Sequence, residues 1–295
     1  MGPGGVGGFV AAALEHAAHP VVVIAREQTA AVIEREGLEV DSVRLGSFAV
    51  RPRAVGRLDD PVDVLVVASK APALEAALER IGAEPALVVP LLNGLDHMSV
   101  LRERFGTRAV AGSIRIEAER RAPGRIVHSS GFLQIEMASR DPGRGGQMQA
   151  FARVLEDAQI PAAVLASEAQ VLWSKLVRLN ALALTTSAAD RPLGEIRSDP
   201  EWRVQLEAAL GEGAAVGRAE GAEVSAEVAL SELEAAHASL RSSMQRDIEA
   251  GREPELDAIA GSVLRAAARH GLACPTIESL AVRVAQRAGI PAPLV

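Results

Sequence analysis

The stretch GPGGVG at Gly2–Gly7, followed by FVAAALEHAAHPVVVIAR at 9–26, decides the fold. Its glycines have the spacing G-x-G-x-x-G, which allows a tight turn and lets the backbone approach a pyrophosphate at the N-terminus of the next helix. Residues 9–17 predict that helix, and the short apolar run Pro20–Ala25 predicts a strand buried on both faces. The motif alone is weakly specific, but the helix and strand that follow it strengthen the prediction of a nucleotide-binding turn. The predicted nucleotide-binding residues are Gly2, Pro3, Gly4, Gly5, Val6 and Gly7.

The rest of the first half repeats this alternation of strands and helices. Val62–Ser69 and Ala86–Leu92 are two more apolar runs, each followed by a helical stretch. Such alternation predicts an α/β fold in which helices cover both faces of a parallel sheet, that is, an N-terminal Rossmann-type domain. A more polar, β-rich region follows at about 109–137.

Beyond about residue 166 the strand patterns disappear. Helical periodicity extends over 168–186, 200–220, 253–270 and 276–287. We therefore expect a Rossmann-type domain at 1–166 and an all-helical domain at 167–295. The active site is expected in the cleft between them, where pockets commonly form.

The residue after the strand Pro20–Ala25 indicates the cofactor. An acidic residue there holds the ribose 2′-hydroxyl of NAD, whereas an arginine accommodates the 2′-phosphate of NADP. Arg26 occupies this place and predicts NADPH. The neighbouring Glu27 leaves a second interpretation open, in which Arg26 is a solvated loop residue.

One part of the fingerprint is expected before Met1. The glycine turn should leave the end of a central strand, yet Met1 stands directly before it. We expect a strand of about five residues before Gly2, flanked by Val21–Ile24 and Val64–Ala68. Without that strand we expect the 295-residue chain to bind NADPH poorly or to fold marginally.

Composition excludes several classes of protein. The net charge of −7 and the absence of a Lys/Arg-rich run argue against a nucleic-acid partner. Cys274 is the single cysteine, so an intramolecular disulfide is impossible and a reducing, cytoplasmic location is expected. Glu15, His16 and His19 interrupt the apolar opening, which argues against a membrane span. The six histidines lack ligand spacings, so we predict no metal.

Several further motifs, in order, resemble those of ketopantoate reductases along nearly the whole chain. The resemblance rests on GPGGVG, VVASK, LLNG, WSKL, RPLGEIR and SSMQRDIEAGREPELDAIAG, followed by ARHGLACPT. It implies NADPH-dependent reduction of a small-molecule 2-keto acid, most simply ketopantoate to pantoate in pantothenate biosynthesis. It leaves a homodimer open.

The resemblance also implies roles for individual residues. Lys175 matches the family's general acid, which stabilises the developing negative charge on the carbonyl oxygen and protonates it. Glu255 matches the acidic residue that receives the substrate hydroxyl, and Ser243 matches a serine that binds substrate. Asn93 and Lys70 match residues near the nicotinamide and the catalytic centre. Each of these residues also has an ordinary structural explanation. Lys175 could be a surface lysine, and Glu255 could interact favourably with a helix dipole. Ser243 could cap a helix, Asn93 could form a turn, and Lys70 could be a solvated strand end.

The chain departs from the family at polar positions. Leu179 and Ala183 stand where two asparagines are usual, and Asn180, a further candidate substrate residue, is one position out of register. Leu193 replaces another asparagine and Leu92 a glutamine. A more apolar pocket leaves two alternatives open. One is an NADP-dependent reductase of another 2-keto acid. The other is a non-catalytic NADP-binding sensor, which would need neither Lys175 nor Glu255.

Overall fold

The computed structural model describes residues 1–294, which form two compact units. The first comprises 1–92 and 97–171, and the second comprises 93–96 together with the chain from 172 onward. The segment Asn93–Asp96 therefore belongs to the second unit, although it follows a strand of the first. None of the helices in 1–294 combines the length and apolarity of a membrane span.

The first unit is the predicted α/β unit. Its helices are α1 (Gly5–His16), α2 (Glu27–Glu36), α3 (Leu74–Leu78), α4 (His97–Phe105) and α5 (Gly145–Asp157). Its strands are β1 (Val22–Ile24), β2 (Leu38–Ser42), β3 (Gly46–Val50), β4 (Arg53–Val55), β5 (Val64–Val67), β6 (Leu87–Pro90), β7 (Ala111–Arg115), β8 (Ala118–Ala122), β9 (Arg125–His128), β10 (Gln134–Ala138) and β11 (Ala162–Val164).

The strands pair in four groups. β1 pairs with β4 and β5 pairs with β6, both in parallel. The other groups are mixed, with the orders β11-β10-β7 and β3-β2-β9-β8. The three apolar runs thus form the parallel strands β1, β5 and β6, as predicted.

The core of the first unit explains the apolar opening. Phe9 and Ala12 on α1 are fully buried, together with Ile33 on α2 and Ile135 on β10. These side chains belong to one hydrophobic cluster. The apolar residues of this opening segment thus form the buried face of α1.

Up to residue 294, the regular elements of the second unit are all helices. α6 (Glu168–Ala189) begins in the first unit and carries the chain into the second. It is followed by α7 (Leu193–Ser198), α8 (Pro200–Ala219), α9 (Ala226–Ala235), α10 (Ser243–Glu249), a π-helical turn (Asp257–Gly261), α11 (Ser262–Arg269) and α12 (Pro275–Ala288). The predicted all-helical unit is confirmed. The predicted helix over 253–270 begins later than expected, because residues 252–255 are not helical and the π-helical turn runs directly into α11.

Candidate active site

The glycine turn is a site of close backbone approach. Gly2 has φ of +81°, and a Cβ on it would lie 2.7 Å from the backbone nitrogen of Ser69. A Cβ on Gly5 would lie 2.2 Å from the carbonyl oxygen of Ala118, and one on Gly7 would lie 2.3 Å from the carbonyl oxygen of Gly2. These three positions therefore require glycine, since a side chain would push α1 away from the strands.

The start of α1 faces open space. Gly4 is the N-cap of α1, and a Cβ at Gly4 would meet no atom within 4 Å. The first backbone N–H groups of a helix lack partners within the helix, and they attract anions together with the helix dipole. The turn therefore has the geometry and the electrostatics of a phosphate site.

Two cationic side chains follow the strands beside this turn. Arg26 follows β1 as the N-cap of α2 and is exposed, and its guanidinium has no hydrogen-bond or ion-pair partner within residues 1–294. Lys70 follows β5 and is also exposed. Gly2 N–H donates to Ile24 O at 3.1 Å, so the turn is tied to the end of β1.

The acidic neighbour of Arg26 has a partner of its own. Glu27 Oε1 accepts a hydrogen bond from Arg80 Nη1 at 2.7 Å, and the same nitrogen donates to Gly56 O at 3.0 Å. The hydrogen bond from Arg80 lowers the pKa of Glu27 below its usual value. Arg80 thus offsets the carboxylate that would otherwise repel a phosphate beside Arg26. Sequence reasoning did not identify Arg80, which is 53 residues from Glu27.

A continuous chain of hydrogen bonds joins three of the predicted site residues in the second unit. Lys175 Nζ donates to Asn93 Oδ1 at 2.8 Å. Asn93 Nδ2 donates to Glu255 Oε2 at 3.0 Å. The amide of Asn93 therefore orients the ammonium group and the carboxylate at the same time. Lys175 lies on α6, while Glu255 precedes the π-helical turn.

The position of Asn93 depends on the residue that follows it. Gly94 has φ of +84°, and a Cβ there would lie 2.0 Å from the carbonyl oxygen of Ala258. Arg265 adds a second attachment, because it pairs with Asp96 at 2.7 Å and with Asp257 at 2.9 Å. These carboxylates raise the pKa of the Arg265 guanidinium. The turn at 93–96 is therefore held against the segment that carries Glu255.

The structure places the other two candidate substrate residues differently. Ser243 is the exposed first residue of α10, and the helix is capped by Ser242, whose Oγ accepts from Gln245 N–H. Asn180 is fully buried, and its Nδ2 donates to Ile259 O at 3.1 Å. Its Oδ1 has no hydrogen-bond partner among residues 1–294. Their substrate roles stay predictions.

The apolar residues at the positions that depart from the family are buried or half-buried. Ala183 and Leu193 are fully buried, and Leu92 is nearly so. Leu179 is half-buried on α6, one turn from Lys175. In the described residues 1–294, no group of three His, Cys, Asp or Glu side chains is arranged to hold a metal ion.

Comparisons with known proteins agree with the motifs and the fold. Residues 1–141 match the family model described as ketopantoate reductase PanE/ApbA, and residues 169–288 match its C-terminal counterpart. A 2-dehydropantoate 2-reductase of Halobacterium salinarum is 29% identical over 98% of both chains. An oxidoreductase of Bacillus subtilis, YkpB, whose function is uncharacterised, is 27% identical over 95% of both chains.

Solved structures show the same architecture. The 2-dehydropantoate 2-reductase of Geobacter metallireducens superimposes with a TM-score of 0.88 at 25% identity, covering 97% of this chain and 98% of that one. A D-mandelate dehydrogenase in complex with NADH and anilino(oxo)acetate has a TM-score of 0.89 at 20% identity, covering 98% and 97%. The family models, which together span both units, show that this chain belongs to the ketopantoate reductase family and is an oxidoreductase.

Proposed function

We propose that this oxidoreductase uses NADPH to reduce a 2-keto acid to the corresponding 2-hydroxy acid, with 2-dehydropantoate as the first substrate to test. The hydrogen-bonded chain Lys175–Asn93–Glu255 is the observation that carries this proposal. It holds a proton donor and a hydroxyl acceptor in one fixed arrangement. A protein that only senses NADP would have no use for this arrangement.

The residues of the first unit fit a dinucleotide phosphate. Gly4 leaves open space at the N-terminus of α1, where the pyrophosphate would be held by backbone N–H groups. Arg26 would pair with the 2′-phosphate, since a guanidinium forms charge-assisted hydrogen bonds with phosphate oxygens. Bound there, NADPH supplies a hydride for the carbonyl carbon of the substrate.

Lys175 would complete the reduction as the general acid. Hydride addition to the carbonyl carbon leaves the electron pair of the C=O bond on oxygen, and a proton from Nζ converts this oxygen to the hydroxyl. The bond from Nζ to Asn93 Oδ1 would direct the ammonium group toward the carbonyl oxygen.

Glu255 would read a hydroxyl group on the substrate. Its Oε2 accepts from Asn93, which orients the carboxylate. A substrate hydroxyl would donate a further hydrogen bond to this group. Substrates without the hydroxyl would lose that bond, and a site built to bind a hydroxyl rejects such analogues strongly.

The apolar replacements favour a second candidate substrate class. Ala183 and Leu193 offer no hydrogen bonds where the family usually has asparagine, so a bulkier or more apolar 2-keto acid is the alternative. The structural likeness to a D-mandelate dehydrogenase makes an aromatic 2-keto acid a reasonable comparison compound.

The decisive experiment is NADPH oxidation with purified protein against three compounds. These are 2-dehydropantoate, its analogue without the hydroxyl group, and phenylglyoxylate. A preference for 2-dehydropantoate over its analogue of about a hundredfold in kcat/KM would support the proposal. A preference for phenylglyoxylate would favour the second class. No oxidation with any 2-keto acid, in protein shown to bind NADPH, would refute reduction as the function.

We also propose a homodimer as the assembly. A ketopantoate reductase of Staphylococcus aureus that shares the fold at 20% identity is described as dimeric. Sedimentation equilibrium of the purified protein tests this directly. A species of 30.8 kDa across the micromolar range would exclude the dimer.

A further inference from the structure

One guanidinium group of the second unit joins two carboxylates that are far apart in the sequence. Arg265 lies on α11, and its Nη2 donates to Asp96 Oδ2 at 2.7 Å and to Asp257 Oδ2 at 3.0 Å. Its Nη1 donates to Asp257 Oδ1 at 2.9 Å and to Leu294 O at 3.0 Å. We call Asp96, Asp257 and Arg265 the arginine clamp.

The two carboxylates of the clamp stand next to the two ends of a hydrogen bond in the candidate active site. Asp96 closes the short segment 93–96, which begins with Asn93. Asp257 begins the π-helical turn, two residues after Glu255. Asn93 Nδ2 donates to Glu255 Oε2, and Asn93 Oδ1 accepts from Lys175. A shift of either carboxylate would therefore be passed to these side chains through two or three residues of backbone.

The clamp needs an arginine because of its geometry. The Asp257 carboxylate accepts two nearly parallel bonds from the guanidinium, and Nη2 also reaches Asp96. A lysine ammonium is a point charge on a flexible chain, so it cannot hold both carboxylates in this planar arrangement. Only 29% of the Arg265 side chain is exposed, which limits competition from water.

The clamp also explains a glycine in the helical segment beneath it. Gly261 has φ of −58° and ψ of −41°, which any residue adopts in a helix, so its backbone conformation does not require glycine. A Cβ at this position would lie 2.9 Å from Arg265 Nη1 and closer still to Asp257 Oδ1. Gly261 therefore provides the space in which the guanidinium and the carboxylate meet.

We propose that Arg265 is a positioning residue for the reduction, and that it acts through Asp96 and Asp257. The clamp would fix the spacing between the proton donor Lys175 and the hydroxyl acceptor Glu255. It would therefore determine how strongly the site distinguishes 2-keto acids that carry the hydroxyl group from those that lack it. This inference rests on the proposed function and on the roles proposed there for both residues.

Gly261→Ala separates positioning from stability. Alanine is a better helix former than glycine, so the substitution should leave the melting temperature at or above that of the parent. The added methyl group would displace Asp257 Oδ1 and Arg265 Nη1, which lie at the flexible ends of their side chains. A positioning role thus predicts a loss of rate without a loss of stability, whereas a purely structural clamp predicts no such separation.

The test compares Arg265→Lys and Gly261→Ala with the parent in the NADPH oxidation assay. We expect both variants to lower kcat/KM for 2-dehydropantoate about 10- to 100-fold, because a displacement of about 1 Å can cost that much. Their preference for 2-dehydropantoate over its analogue without the hydroxyl should fall at least about fivefold. Amide exchange in 93–96 and 255–258 should become faster in both variants.

Two substitutions on α8 are matched controls. Arg203 also joins two carboxylates, those of Glu207 at 2.8 Å and Glu234 at 2.6 Å, so Arg203→Lys makes the same change elsewhere. A Cβ at Gly211 would meet no atom within 4 Å, so Gly211→Ala adds a methyl group in open space. Both controls should keep the rate and the preference of the parent.

The outcomes distinguish this inference from the proposed function. An active parent whose rate and preference are matched within threefold by Arg265→Lys and Gly261→Ala overturns the inference alone. Equal losses in the two controls overturn it as well, as does a loss of rate that always accompanies a lower melting temperature. A parent that binds NADPH but reduces no 2-keto acid refutes the proposed function, and the inference falls with it.

Discussion

Replacing Asn93 by alanine tests whether Lys175 and Glu255 act as one unit. The substitution removes the hydrogen bonds of 2.8 Å and 3.0 Å that join the three side chains. A hydrogen bond to a charged group contributes about 1.5–3 kcal/mol. If one such contribution is lost from the transition state, kcat/KM falls about 10- to 150-fold. NADPH affinity should change much less than kcat/KM, because the glycine turn and Arg26, which would hold the phosphates, are not altered.

The comparison with Lys175→Ala separates orientation from proton donation. Loss of a general acid costs about 10²- to 10⁴-fold in kcat, so Lys175→Ala should be the more severe change. Residues that act through one another show losses that do not add. Since we place Asn93 as a positioning residue for Lys175, the double variant should be no slower than Lys175→Ala alone.

Asn180→Ala makes the same chemical change on a fully buried residue and tests the substrate role predicted for Asn180 itself. It removes the hydrogen bond to Ile259 O, so it should lower the melting temperature; a raised KM for the keto acid would support the predicted substrate role, whereas an unchanged KM would make the residue structural. Initial rates of NADPH oxidation over a range of keto acid and pH supply the readout for all variants. The reasoning is refuted if Asn93→Ala turns over within threefold of the parent, or if losses multiply in the double variant.

Four more predictions concern two residues of the cofactor site and two buried groups. Arg26→Ala should weaken NADPH about 10- to 150-fold and leave NADH unchanged, measured by fluorescence titration; equal losses would remove Arg26 from the site. Arg80→Ala should also weaken NADPH by exposing the Glu27 carboxylate, and adding Glu27→Gln should restore it; an unrestored double variant would show a structural role instead. Burial lowers the pKa of His128 below its ordinary value near 6.5. The stability it contributes is therefore complete above that value and is lost as pH falls through the folded pKa, so His128→Gln should flatten the decline of unfolding free energy below pH 6.5. Burial also raises the pKa of Cys274 to about 11, so native protein should react with iodoacetamide far more slowly than unfolded protein.

Local pattern was sufficient to predict the parallel strands and the helical unit. β1, β5 and β6 lie inside the three apolar runs, because strands covered on both faces need apolar side chains at nearly every position. The glycine spacing was informative for a similar reason. Contacts of 2.2–2.7 Å to a Cβ at Gly2, Gly5 and Gly7 leave no other residue possible at those positions.

Strands with one exposed face were harder to predict. β2 has the alternating sequence Leu38–Ser42, in which every second residue is buried, and its partner β3 is mostly exposed. Neither contains an apolar run. β4 has only three residues, Arg53–Val55, and depends on its pairing with β1. These strands follow from tertiary pairing rather than from local composition.

The arrangement of the active site could be predicted from the sequence only in part. The motifs pointed to Lys175, Asn93 and Glu255 separately, yet Asn93 and Glu255 are 162 residues apart. Their contact depends on Gly94 against Ala258 O and on Arg265 holding Asp96, a pair separated by 169 residues. No spacing rule connects such residues. The arrangement had to come from the fold.

Because these residues are divided between the two units, a loss of NADPH affinity can be distinguished from a loss of keto acid reduction. The glycine turn and Arg26 belong to the first unit, whereas Lys175, Asn93 and Glu255 all belong to the second. A variant at Arg26 should therefore lose NADPH affinity while its hydrogen-bonded chain stays intact. Conversely, a protein that binds NADPH tightly but does not reduce 2-dehydropantoate would place the cause at apolar positions such as Ala183. Activity on a more apolar 2-keto acid would then follow from those same positions, with Lys175 still required.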